Sequence, residues 1–351
     1  MYPVIAMIYR VASSVRPGRS ARSRRPPQQW VHAAVATSTR PDDPAVTDGD
    51  ARRIGTVAVV AHRKKTLGGG LDELRARLAV PGVDELLWFE VKKSKKARKR
   101  VREAVKAGAD LVVVWGGDGM VQRSCDALAG TGVPMAIIPA GTANLLAHNL
   151  GIPQDLAAAV EIAFGGRQRT LDLGRINGEH FAVMAGVGFD AELMRDADRG
   201  LKDRLGRLAY FWTGMQHVSR SATPTTIEVD GTPWFDGDAS CVLLGNVGKV
   251  TGGVPAFDDA KPDDGWLEVG VATATGAAEW ARTLGRMVVG RTDASPFVRT
   301  TRAREITIAL GEPRAYELDG GDRDPADRLT ACVVPGGITV RVPDPEDQTR
   351  K

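Results

Sequence analysis

The first half of the chain alternates short apolar blocks with amphipathic stretches. Residues 55–61 (GTVAVVA), 85–91 (ELLWFEV), 111–115 (LVVVW) and 135–138 (MAII) are continuous runs of strand length, the pattern of strands buried on both faces. Between and after them, residues 71–78, 120–128, 143–150 and 156–164 carry helix-compatible spacing. Strands interspersed with helices predict a parallel sheet flanked by helices. From Asp172 onward the pattern shifts to short β-type runs at 180–184, 225–229, 240–244, 267–272, 305–310, 315–318, 329–334 and 338–342. Runs at this spacing, separated by Gly, Pro and Asp, predict a sandwich or barrel-like β domain. The expected organisation is a basic tail at 1–53, an α/β domain at 54–171, a β-rich domain at 172–343 and a short tail at 344–351.

Two glycine turns dominate the α/β half. Gly116-Gly117-Asp118-Gly119 follows one predicted strand and Pro139-Ala140-Gly141-Thr142 follows the next, each ahead of a helix. Two helix N-termini are thereby expected at one sheet edge, where unpaired N–H groups and aligned peptide dipoles favour phosphate. A carboxylate at Asp118 would repel such a ligand, so Asp118 is expected to meet Mg²⁺, ordered water or a ribose hydroxyl. Thr142 reads as a helix N-cap, a phosphate ligand or both.

Composition narrows the field. The chain has 351 residues, 43% hydrophobic, with 40 glycines and a formal net charge of +4, too mild a basicity to argue for nucleic acid. Its three cysteines, Cys125, Cys241 and Cys332, lie far apart without metal-ligand spacing, which suits a reduced cytoplasmic setting. No apolar run approaches the length of a membrane span. In the tail the arginines follow the apolar residues 4–8, an order that argues against export and suits disorder or an electrostatic tether to anionic lipid. Residues 92–102 concentrate eight lysines and arginines, read as a solvated helix face or as guidance toward an anionic ligand or bilayer.

The paired turns resemble the diacylglycerol kinase catalytic domain family, whose signature is GGDG(T) followed by P-x-GT-x-N, here Pro139 to Asn144. The likeness continues through Leu171-Asp172-Leu173-Gly174, Gly186 to Ala191, Gly245-Asn246, Thr251-Gly252-Gly253, Lys261 to Leu267 and Leu318-Asp319-Gly320. The resemblance implies an ATP- and Mg²⁺-dependent lipid kinase, peripheral at a membrane surface, whose β-rich domain is a lid and lipid-binding domain over a cleft. It implies nucleotide contacts from His62, Gly116, Gly117, Asp118, Gly119, Met120, Thr142 and Asn144. A structural Mg²⁺ would be held by the Asp264 carboxylate and the carbonyls of Lys261 and Trp266. A second copy of the chain is an allowed partner.

Several positions depart from the family pattern. His62-Arg63-Lys64-Lys65 stands where asparagine and proline are usual, Met120 replaces a threonine, and Leu145 an aspartate. Gly321 occupies the place of the glutamate that accepts the proton from the lipid hydroxyl. That role then falls to Asp322, to Asp319, or to nothing. Residues 193–218 form an amphipathic helical pattern bearing Phe211 and Trp212, either core or a path for an acyl chain. The rival readings are an NAD kinase-like enzyme, which shares a GGDG turn, and a catalytically inactive binder of lipid or nucleotide.

Overall fold

The computed structural model describes residues 54–79, 82–188, 222–248, 256–257, 260–275, 279–280, 282–283, 286 and 295–344. The basic tail at 1–53, the helical pattern at 193–218, and the family-type residues 189–191, 251–253 and 258–259 lie outside them.

The most apolar runs become the central strands, because only a strand covered on both faces can bury every side chain. β1 (Thr56–His62), β3 (Leu111–Gly116) and β4 (Met135–Pro139) are buried almost throughout, whereas β2 (Glu85–Val91), at the sheet edge, is half-buried. All four are parallel, in the order β2-β1-β3-β4. Helices α1 (Gly70–Leu78), α2 (Ala97–Lys106), α3 (Asp118–Leu128), α4 (Leu145–Asn149) and α5 (Leu156–Gly165) supply the crossovers. The basic segment spans a 3₁₀ turn (Ser94–Lys96) and α2, whose buried face is Ala97, Val101 and Ala104. Because β1 connects outward to β2 and the chain then returns past β1 to β3, the crevice between the carboxyl ends of β1 and β3 is a topological switch point.

The second half is antiparallel. β5 (Arg167–Ile176), β6 (Glu179–Phe181), β7 (Met184–Val187), β8 (Thr223–Val229), β9 (Thr232–Ala239), β10 (Cys241–Gly245), β11 (Leu267–Ala272), β12 (Val298–Ala303), β13 (Glu305–Leu318) and β14 (Gly321–Val342) complete a 14-stranded sheet. The runs 305–310 and 315–318 merge into β13, and 329–334 and 338–342 fall within β14. Register shifts in both strands explain why each read as two. β14 pairs with β13 near its start and with β5 near its end, where Val340 also sits beside Met135 of β4. The mixed sheet is therefore continuous from the α/β half into the sandwich-like half. Asp172, where the pattern changes, lies inside β5.

Two cores flank this seam. One contains the parallel strands and their helices and reaches Ala182, Val183 and Val247. The other fills the sandwich with Phe181, Ala185, Leu244, Val269, Ile306, Leu318 and their neighbours.

Candidate active site

The two glycine turns meet. A Cβ on Gly141 would stand 2.3 Å from the Gly117 Cα, and one on Gly117 would stand 3.0 Å from the Gly141 Cα. Neither position has room for a side chain, which is the physical reason both are glycine. Gly116 is tight for another reason, since a Cβ there would lie 2.5 Å from the Met120 Cγ. Met120 is buried, and its N–H donates to the Gly117 carbonyl at 2.8 Å. Its side chain thus belongs to the core and not to a phosphate site, because the position points down into the packed strand-helix junction.

Asp118 opens α3 and reaches across to the second turn. Its Oδ2 accepts the N–H of Asn144 at 3.0 Å and its Oδ1 the N–H of Leu145 at 2.5 Å. The expectation of two free helix N-termini is corrected by these bonds, since the first amides of α4 are already satisfied by a carboxylate. They also answer the puzzle of an acid in a phosphate-binding turn, because the amide groups offset its charge. Burial holds the Asp118 carboxyl above its ordinary range, while the amides of Leu145 and Asn144 and the charge of Lys65 pull it down.

Asn144 braces its own loop. At φ 50° it occupies the left-handed region, its Oδ1 accepts the Gly141 N–H at 2.9 Å, and its Nδ2 donates to the carbonyls of Gly141 and Pro139 at 3.1 and 3.3 Å. The whole polar end of this buried side chain is committed to the backbone, so Asn144 shapes the turn and does not face a ligand. Gln154 adds a fourth tie, to the Gly141 carbonyl at 2.9 Å. Thr142, by contrast, is exposed, and it is not the N-cap, a position Asn144 takes.

His62 ends β1 at the switch point, its Cβ 3.8 Å from the place of a Gly116 Cβ. Burial first, then the charges of Lys65 and Lys64, lower its pKa, so the ring is neutral at pH 7. The Lys64 N–H donates to Nδ1 at 3.3 Å, which leaves the ring proton on Nε2. Buried Trp115 fixes the adjoining loop by donating from Nε1 to the Lys65 carbonyl at 3.1 Å. Gly119 borders the basic segment, a Cβ there lying 3.3 Å from the Ser94 Oγ. Lys92, Lys93, Lys95 and Lys96 are exposed around it.

On the β side, Asp319 and Gly320 form the turn of the β13–β14 hairpin, with φ 47° and 75° and Leu318 opposite Gly321. Positive φ at both central residues is what a two-residue hairpin turn of this hand demands. The buried Asp319 carboxylate accepts the N–H groups of Ala182, Val183 and Met184 at 2.8–2.9 Å. Burial, with a smaller push from Asp118, raises its pKa to about 6. With three amides on it, Asp319 clamps the strand junction and is poorly placed to take a proton from a substrate. Asp322, the other expected base, is exposed and lies across from Glu317 on β13.

The remaining family-type residues are also braces. The Asp172 carboxylate accepts the N–H groups of Gly265 and Gly336 at 2.7 and 2.8 Å, and buried Asn246 donates to the carbonyls of Asp172 and Ala182. These bonds fix the turn that holds Lys261, Asp264 and Trp266. Within it, Asp264 Oδ1 accepts the Trp266 N–H at 3.1 Å. No group of three His, Cys, Asp or Glu side chains suited to a metal occurs among the described residues.

One cluster escaped the sequence. Glu179 receives Arg323 through two bonds of 2.7 Å, Arg98 at 2.9 Å, and Arg123. Asp126 holds Arg98 and His180 beside it. The cluster ties α2 and α3 to β6 and β14, and no local pattern announces it.

Residues 64–176 match the diacylglycerol kinase catalytic domain, and residues 183–342 match the YegS C-terminal NAD kinase beta sandwich-like domain. A diacylglycerol kinase of Mycobacterium tuberculosis is 31% identical over 250 residues, covering 69% of this chain and 78% of the relative. The chain belongs to the diacylglycerol kinase catalytic domain family. It is a lipid kinase. A diacylglycerol kinase of Bacillus subtilis is 30% identical over 228 residues, covering 64% of this chain and 75% of the relative. In three dimensions, a diacylglycerol kinase from Bacillus anthracis superposes with a TM-score of 0.68 at 25% identity, over 84% of this chain and 98% of that one. No helix among the described residues is long and apolar enough to cross a membrane.

Proposed function

We propose that this lipid kinase transfers the γ-phosphoryl group of ATP to the hydroxyl of diacylglycerol or a related lipid, acting peripherally at a membrane surface. The observation that carries the reading is the abutment of Gly117 and Gly141, which brings two backbone turns together at the switch-point crevice. Phosphoryl transfer is chiefly positioning and charge neutralisation, so a rigid, amide-lined cleft is the main requirement.

In this reading the N-terminus of α3, the Gly117–Gly119 backbone and the Thr142 hydroxyl hold the phosphates. Neutral His62 and the lysines at 64 and 65 border the rest of the nucleotide, and the exposed lysines of 92–96 draw anions toward it. Asp118 fixes the distance between the two turns, and its remaining lone pairs can accept hydrogen bonds from a hydrated cation. Bound Mg²⁺ would supply charge neutralisation on the phosphates. The oxygen donors at Lys261, Asp264 and Trp266 suit a hard cation in type, and one held there would stiffen the 261–266 turn away from the chemistry.

The test is transfer of radiolabel from ATP to a panel of diacylglycerol, monoacylglycerol and sphingoid lipids in mixed micelles. Label in at least one lipid, dependent on Mg²⁺, is the expected result. No label in any lipid, with label appearing in NAD instead, contradicts it. Gly321 favours a second reading, a nucleotide binder without turnover, which Mg-ATP-induced thermal stabilisation without product would support.

A further inference from the structure

The residue that takes the proton is unassigned. Gly321 has no side chain, and Asp319 is spent on three amides. One carboxyl near this hairpin is differently situated. Glu317 stands on β13 two residues before Asp319, about 7 Å along the strand, opposite Gly186 of β7 and Asp322 of β14. Gly186 in turn faces Leu243 of β10, so Leu243, Gly186, Glu317 and Asp322 form one row across four strands. Gly186 places no side chain beside the Glu317 carboxyl in this row.

The row has a chemical gradient. Leu243 packs on the apolar cluster of Cys241, Ala256, Phe257, Ala274 and Trp280. At the other end stand two carboxyl groups, beside a turn whose Asp319 senses the charge of Asp118. The Glu317 Oε1 is buried and makes no hydrogen bond. An unpaired carboxyl oxygen under cover is costly and persists where a substrate group completes it.

We infer that Glu317 is the general base of the lipid kinase, accepting the hydroxyl proton of the lipid while the acyl chains lie toward the Leu243–Phe257 cluster. This rests on the ATP-dependent reading above. In the step, the lipid O–H bond breaks as its oxygen bonds to the γ-phosphorus. The bond from that phosphorus to the bridging oxygen breaks to release ADP, and the proton ends on a Glu317 carboxylate oxygen. The ionisation of the group agrees with the role. Burial first, and the Asp322 charge second, raise its pKa to about 7, near the value at which a base is both available and strong enough. Among the described residues, Cys241 of β10 is the other titratable group whose ionisation is coupled to it, a buried thiol held protonated. β7 contributes only Gly186 opposite.

The experiment compares wild type, Glu317→Gln, Glu317→Asp and Asp322→Asn in the micelle assay across pH 5–9, with Mg-ATP binding measured separately by calorimetry. Glu317→Gln should lower kcat by about 10²-fold or more with Mg-ATP affinity within threefold of wild type, and Glu317→Asp should recover part of the rate. Wild type should show an acid limb centred near pH 7 that moves to lower pH in Asp322→Asn. An active wild type whose kcat survives Glu317→Gln overturns the assignment and leaves the kinase reading intact. Loss of Mg-ATP binding in Glu317→Gln overturns it as well, by making the residue structural. A wild type inactive on every lipid removes both.

Discussion

The Asp118 carboxylate accepts the backbone N–H of Leu145 at 2.5 Å, so the first residue of α3 is fastened to the first residue of α4. Two consecutive strand-turn-helix units thereby become one cleft wall. The bond makes Asp118 structural as well as electrostatic, and the two roles separate under mutation.

Asp118→Ala leaves the N–H groups of Asn144 and Leu145 without an acceptor. Bonds to a charged group are worth about 1.5–3 kcal/mol each, partly recovered by water, so a net loss of about 2 kcal/mol is expected in urea unfolding. Asp118→Asn, with one acceptor oxygen, should lose about half as much. Equal stability of all three proteins would show that the clasp does not form.

Gly141→Ala places a methyl 2.3 Å from the Gly117 Cα, against backbone that cannot yield like a side chain. Overpacking of this kind costs about 1–3 kcal/mol, and separation of the turns should weaken Mg-ATP binding by at least tenfold. The control is Gly130→Ala, where no atom lies within 4 Å of the new Cβ but φ is 71°. It should lose stability through backbone strain alone and leave nucleotide affinity unchanged.

Restoring threonine at position 120 does not restore a phosphate ligand, because Met120 is buried against Gly116. Met120→Thr should cost about 2–4 kcal/mol as a core truncation and leave the Mg-ATP dissociation constant unimproved in calorimetry. A tighter nucleotide complex would mean that the residue faces the cleft.

Glu317 and Asp319 also shape the pH dependence of stability. Their folded pKa values, about 7 and about 6, lie above the ordinary 4.5 and 3.8. The folded state therefore binds more protons than the unfolded one between about pH 4 and 7, and stability falls as pH rises through that window. Above about pH 8, where both groups are ionised in the folded and the unfolded state, the penalty is constant. Urea unfolding should show Glu317→Gln gaining on wild type by on the order of 2 kcal/mol between pH 4.5 and 8, the kind of stability that active sites give up. A flat difference across the window would contradict the raised pKa.

The sequence revealed strands where burial imposes a continuous apolar run, as in β1, β3 and β4, and it located both glycine turns. It did not reveal β5 (RQRTLDLGRI), β9 (TPWFDGDA) or β12 (VRTTRA). β5 pairs along most of its length with β14, far along the chain, whereas β9 pairs with the adjacent β8 and β12 with β11; the exposed faces of all three carry charge, proline or glycine, which hides the alternation. Roles were harder to read than positions. Asp118, Asn144, Asp172 and Asp319 all stand out as motif residues; Asn144 captures the N–H of its own loop, whereas the three aspartates capture backbone N–H groups brought to them only by the fold. Glu317 went unnoticed because one acid in a short β run reads as solvent-facing, and only the register with Gly186 and Asp322 shows its setting.

The paired turns are expected to grip a triphosphate, and a crystal structure with a non-hydrolysable Mg-ATP analogue tests that most directly. The β- and γ-phosphates are predicted to lie against the Gly117–Gly119 backbone and within hydrogen-bond distance of the Thr142 hydroxyl. Phosphates bound elsewhere, or turns left empty at saturating nucleotide, would contradict it.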